Sequence, residues 1–179
     1  MGRSRYKILN ERYPYFITSS VVNKYPIFDE KEYAQIIIDG LNFLVNEKEI
    51  KIYAYVIMKN HLHLILQGND LGKHFAQFKS YSARRILDSL ETKKVDGLLQ
   101  SFREAKKAFK TDRKHQFWAE GFHPKQVFSA DVMRQKIRYI HYNPVKAGFV
   151  KEDTDWKHSS SSDYSGNSPG LVKVTLFAG

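Results

Sequence analysis

Two β-rich runs, 50–58 (IKIYAYVIM) and 61–67 (HLHLILQ), are separated only by Lys59 and Asn60. A connection of two residues joins strand-forming segments as antiparallel neighbours, so any fold this chain adopts must contain that hairpin. Residues two apart in a strand share a face. His61 and His63 therefore project together, while Leu62, Leu64 and Leu66 point to the other side. Two imidazoles so spaced can take adjacent positions on one divalent metal. The plain alternative is an exposed sheet face that carries two histidines and no ligand.

The flanking segments build outward from the hairpin. Residues 15–22 (YFITSSVV), after Pro14 and before Asn23 and Pro26, read as a first strand. Asp29 is placed to cap a helix running to about Lys48, with Tyr33, Ile36, Ile37, Leu41 and Leu44 at helical spacing. After Gly68-Asn69-Asp70, a second, basic helix is predicted from Leu71 to about Leu90 through Phe75, Phe78, Tyr81, Ile86 and Leu90. The polar stretch 92–116 reads as a mobile basic excursion outside the core, with a short amphipathic piece from Leu98 to Phe109. FWAEGF and KQVFS, around His123-Pro124, are candidates for the next strand. Ser129 or Asp131 would cap a third helix through about Tyr142, stopped by Asn143-Pro144 and followed by Gly148. The tail holds a low-complexity loop, SSSSDYSGNSPG, and a candidate final edge strand, LVKVTLF.

The order strand, helix, strand, strand, helix, strand is the split βαβ pattern of ferredoxin-like domains. The expected class is α+β: an antiparallel sheet with the hairpin at its centre and helices on one face. A single domain is expected over 1–179, with a core of about 13–150, the excursion 92–116 and a tail 151–179.

A second cluster lies in Tyr139-Ile140-His141-Tyr142-Asn143-Pro144. Positions i and i+4 stack on one helix face, so Tyr139 and Asn143 align, with Tyr142 offset. A phenol beside an amide oxygen can serve as covalent nucleophile beside a metal ligand. The structural alternative is a packed tyrosine and an ordinary turn asparagine before proline.

Charge narrows the partner. Lys and Arg number 29 against 19 Asp and Glu, a formal net charge of +10, which attracts polyanions. No apolar run approaches the roughly 20 residues of a membrane span, and no leader-like segment opens the chain, so a soluble cytoplasmic protein without a membrane partner is expected. The absence of cysteine removes disulfides, thiolate metal sites and cysteine nucleophiles together. Basic grooves with aromatic faces suit unpaired nucleic acid. The candidate contacts are Lys59, Lys73, Lys79, Arg84, Arg85, Arg103, Lys106, Lys107, Lys110, Arg113 and Lys114, with Phe117 and Trp118 nearby; the plain alternatives are a solvated charged face and, for Trp118, the favoured reading of a core residue. A non-catalytic nucleic-acid-binding module and a zinc hydrolase are the competing classes. The first has no use for the His/Tyr/Asn quartet, and the second lacks a third strong ligand at recognisable spacing.

Taken together, the segments Tyr55-Val56-Ile57-Met58-Lys59-Asn60-His61-Leu62-His63-Leu64 and Tyr139 to Val150 resemble the two signatures of single-tyrosine transposases of the HUH endonuclease superfamily, nearest the branch associated with repetitive extragenic palindromes (REP). The resemblance runs from about Tyr15 to Tyr164. It implies His61, His63 and Asn143 as ligands of Mg2+ or Mn2+, Tyr139 as nucleophile, and a 5′-phosphotyrosine intermediate on single-stranded hairpin or palindromic DNA. Lys59 stands where many members have proline, and Asn143 in place of Gln points to the repeat-associated branch. Some relatives exchange the tyrosine helix within a homodimer, whereas repeat-associated members resemble monomers. A host-domesticated derivative would carry the same motifs.

Overall fold

The computed structural model describes residues 8, 10–108, 111–121, 123–166 and 168–179. Its elements are β1 (Tyr15–Ser20), α1 (Lys31–Lys48), β2 (Lys51–Met58), β3 (His61–Gln67), α2 (Leu71–Thr92), α3 (Asp96–Glu104), β4 (Lys125–Gln126), α4 (Ala130–Lys146) and α5 (Ser161–Ser165). The four strands form one sheet in the order β2-β3-β1-β4, antiparallel throughout. This is the expected α+β class and the ferredoxin-like strand order.

The alternation in β3 decides what lies on each face. Leu62, Leu64 and Leu66 join Tyr15, Ile17, Ile52 and Ile57 in a core completed by α1, α2 and α3. Gly40 of α1 is required there by close approach, since a Cβ at that position would meet the Phe78 ring of α2 at 2.8 Å. The opposite face carries Phe16, Ala54, Val56 and Ile65, and it is covered by Met133, Ile137 and Ile140 of α4. A bulge between Ile52 and Ala54 brings Tyr53 and Ala54 both to this second face.

Several sequence expectations are corrected. The helices occupy both faces of the sheet, because α4 follows the last strand and returns under it. The hairpin is not wholly central, since β3 is an inner strand but β2 lies at an edge. That edge is covered by the tail: Ile57 N–H donates to the His158 carbonyl (2.8 Å), Ser160 N–H to that of Tyr55 (3.0 Å), and Thr175 N–H to that of Ile52 (2.8 Å). The segment 171–177 forms no strand, although Val172 is fully buried.

Stretch 92–116 is likewise not a loose excursion. α3 inserts Leu99 and Phe102 into the main core, where Phe102 is 0% exposed and packs on Tyr25 and Phe117. Phe109 and Lys110 lie outside the described residues. Of the FWAEGF and KQVFS candidates, KQ supplies β4, whereas Trp118 makes only an isolated bridge to Val21; Phe122 lies outside the described residues.

α1 has Glu30 as its N-cap residue and no side-chain cap. Asp29 instead sits in a 3-10 turn and pairs with Lys59 at 3.1 Å. Ser129 does cap α4, accepting from Val132 N–H at 3.2 Å. α4 continues through Pro144 to Lys146. Proline removes one backbone donor, and in the final turn the neighbouring bonds Ala147 N–H to Asn143 O and Phe149 N–H to Pro144 O close the helix around it.

Candidate active site

Strand register builds the site first. Thr18 faces His63 across β1 and β3, and Ser20 faces His61, so both histidines lie on the face that α4 covers. Their ring centroids are 4.8 Å apart. Neither Lys59 nor Asn60 has positive φ, so the two-residue turn accepts lysine without backbone strain.

A chain of hydrogen bonds fixes His61. Asn60 Nδ2 donates to the Lys24 carbonyl at 2.9 Å, which turns its Oδ1 toward His61 Nδ1 at 2.7 Å. An amide oxygen only accepts, so His61 carries its proton on Nδ1 and presents a lone pair at Nε2. His63 Nδ1 lies 2.8 Å from Thr18 Oγ1, a hydroxyl that can accept from the same tautomer. Partners of this kind orient imidazoles for a metal.

Burial keeps both rings uncharged. It holds His61 below the usual imidazole range, with Lys24 adding repulsion. It pushes His63 down to about 3, helped by His61 and Lys136. Neutral imidazole is the form that ligates. Among the described residues, no third His, Cys, Asp or Glu joins the pair, so any further protein ligand must be of another type.

α4 supplies the rest. Its stripe Met133, Ile137, Ile140, His141 and Pro144 is buried, leaving the adjacent face to Tyr139. Tyr139 is 43% exposed, yet its ring meets His63 of the same chain edge to face, centroids 5.3 Å apart, and Phe16 at 5.8 Å. Asn143 lies one turn on, its Nδ2 donating to the Tyr139 carbonyl at 2.7 Å. Tyr142 is 55% exposed. His141 points away from the pair, as its two-residue offset predicts: it is buried against Ser160 Oγ (2.9 Å) and the Tyr164 ring. Burial pushes it down to about 4, against the attraction of Asp153.

The basic candidates divide. Lys79, Arg84, Lys107 and Arg113 line one open cleft of about 1000 Å³ between α2 and the chain after α3. Within it Lys107 pairs with Glu120 at 2.8 Å, and Arg113 with Asp112. Lys73, Arg85, Arg103 and Lys114 are exposed outside that cleft, and Lys106 is half-buried. Lys59 does not line that cleft; it lies over the Phe149 ring at 4.7 Å. Phe117 and Trp118 are core residues; Trp118 Nε1 donates to the Lys79 carbonyl and Lys79 lies over the indole. A smaller cleft lined by Phe16, Thr18 and Lys125 shares Ala119, Glu120 and Gly121 with the larger one. Sequence reasoning missed Thr18, Asn60 and Lys136. Asn60 alone had a local signal, as the neighbour of His61.

Residues 11–143 match the model of the family described as transposase IS200 like. The chain belongs to the IS200-like transposase family. The match spans both the histidine pair and the Tyr139–Asn143 turn of α4. Among relatives of this family, a Haemophilus influenzae protein assigned as a REP-associated tyrosine transposase is 27% identical over 107 residues, covering 60% of this chain and 56% of that protein. The chain thus spans little more than half the length of that curated relative. A REP-associated tyrosine transposase solved bound to a REP hairpin superposes with a TM-score of 0.67 over 99% of this chain and 96% of that chain, at 19% identity; it establishes a shared fold. No helix among the described residues is long and apolar enough to cross a membrane.

Proposed function

We propose that this chain is a metal-dependent DNA transposase that nicks and rejoins single-stranded DNA through a 5′-phosphotyrosine intermediate. The observation that carries this reading is the contact between His63 and Tyr139, an accessible phenol on α4. Packing alone has no need of a solvent-reachable tyrosine beside two uncharged, oriented imidazoles. Family membership supports the transposase class, and the hairpin bound by the solved relative supports a hairpin or palindromic substrate.

The donor set fits a divalent cation, because both rings are neutral and Asn60 leaves His61 Nε2 available. His61, His63 and the Asn143 amide oxygen would hold it. Bound Mg2+ or Mn2+ would polarise the phosphate and offset charge on its oxygens.

The chain's own groups then account for the transfer. Tyr139 Oη attacks phosphorus and gives up its proton; the P–O3′ bond breaks, and the departing oxygen takes a proton to become a 3′-hydroxyl. Attack by another 3′-hydroxyl on the phosphotyrosine reverses the step and joins strands, so one phosphoester replaces another and no water is consumed. The covering of the histidine face by α4 argues against an open sheet that reads RNA bases. The connected clefts give the strand a basic approach through Lys79 and Arg84 to the Phe16 and Thr18 edge of the site.

The test uses the full chain with manganese and a pool of single-stranded oligonucleotides having a palindromic stem and randomised flanks. A covalent protein–DNA adduct is expected on a denaturing gel, absent in Tyr139→Phe. An equal adduct in that variant overturns Tyr139 as nucleophile.

A further inference from the structure

Lys136 lies one turn before Tyr139 on α4 and belongs to neither motif. Its Nζ stands 5.0 Å from the Phe16 ring centroid and 5.8 Å from that of Tyr139. The two rings themselves meet at 5.8 Å, so the ammonium is seated over an aromatic corner rather than free in solvent.

Three other cations are held by carboxylates instead. Lys59 has Asp29, Lys93 has Glu32 and Arg134 has Asp131, but among the described residues no carboxylate pairs with Lys136. Aromatic faces hold a cation without neutralising it. An oriented, uncompensated ammonium beside an exposed phenol is complementary to an anion arriving at that phenol. In the proposed reaction, the anion at that point is the phosphate under attack, whose oxygens carry the charge that develops in the transition state.

We propose that Lys136 is a further catalytic residue: its ammonium contacts a non-bridging oxygen of the phosphate that Tyr139 attacks. The inference rests on the reading of Tyr139 as nucleophile. Because cleavage and rejoining pass through the same arrangement at phosphorus, Lys136 serves both directions. A purely structural role, the stem packing on Phe16, would instead act through the seating of α4.

The test compares native chain, Lys136→Met, Lys136→Arg and Tyr139→Phe, using manganese and the oligonucleotide sequence recovered from native adducts. Methionine keeps the apolar stem and removes the charge. The expected result for Lys136→Met is a loss of about 100-fold in single-turnover adduct formation, matched by a similar loss when a 3′-hydroxyl strand resolves preformed adduct. Strand affinity and unfolding midpoint should stay near native, and Lys136→Arg should recover most of the rate. Native rates in Lys136→Met, or a loss confined to affinity or to one direction, overturn the inference while leaving Tyr139 in place. An adduct in Tyr139→Phe equal to native, or none with the native chain, overturns the nucleophile and this inference together. If Lys136→Met does not fold, Lys136→Gln is read against the same outcomes.

Discussion

The rings of His63 and Tyr139 meet edge to face, their centroids 5.3 Å apart and their planes at 70°. One ring stands on an inner strand and the other on a helix that follows the last strand, so this contact joins the two motifs into one site. Tyr139→Phe keeps the ring and should leave stability unchanged, whereas Tyr139→Ala should cost about 0.5–1.5 kcal/mol beyond its lost area. Denaturant unfolding of the two variants separates this packing role from chemistry, since both should fail to form the DNA adduct.

Asn60 is the small residue on which the state of His61 depends. Asn60→Ala removes the acceptor at Nδ1 and should weaken Mn2+ binding about 10- to 100-fold, the usual consequence of losing a partner behind a metal ligand. Thr18→Val should act in the same direction through His63. Calorimetric titration of Mn2+ checks both, and native affinity in both variants would exclude this role for their hydrogen bonds.

His141 makes stability depend on pH. Its folded value is about 4 against an ordinary 6.5, so between these limits the unfolded chain binds the extra proton. Stability from this residue is therefore present above about pH 6.5 and is lost as pH falls toward 4, by up to about 3 kcal/mol. His141→Gln should flatten that part of the curve in urea melts taken from pH 7.5 to 4.5. A slope identical to native would assign the acid sensitivity elsewhere.

Phe102 tests whether the stretch after α2 belongs to the core. It is fully buried between Tyr25 and Phe117. Phe102→Ala should cost about 3–5 kcal/mol in chemical denaturation. A loose excursion would lose almost nothing.

Legibility in the sequence followed the range of the interaction. The hairpin, the shared face of His61 and His63, and the alignment of Tyr139 with Asn143 are set by periods of two and 3.6 residues, so they could be read directly. Thr18 could not be read as a neighbour of His63, because their meeting depends on the β1–β3 register. The side of the sheet taken by α4 depends on a return path that no local pattern encodes. Charge concealed Phe102: the many Lys and Arg around it suggested solvent, while one amphipathic turn was enough to anchor α3. Pro144 misled by position, since a proline within the last turn costs less than one in a helix interior.

The tail that runs beside β2 has a consequence for association. The backbone groups of Tyr55 and Ile57 at that edge are occupied by His158 and Ser160. Without this cover they would offer a ready template for a strand from another copy. The serine-rich segment thus acts as a guard rail, leaving Tyr55 and Ile57 no free backbone group with which to start a new strand pairing.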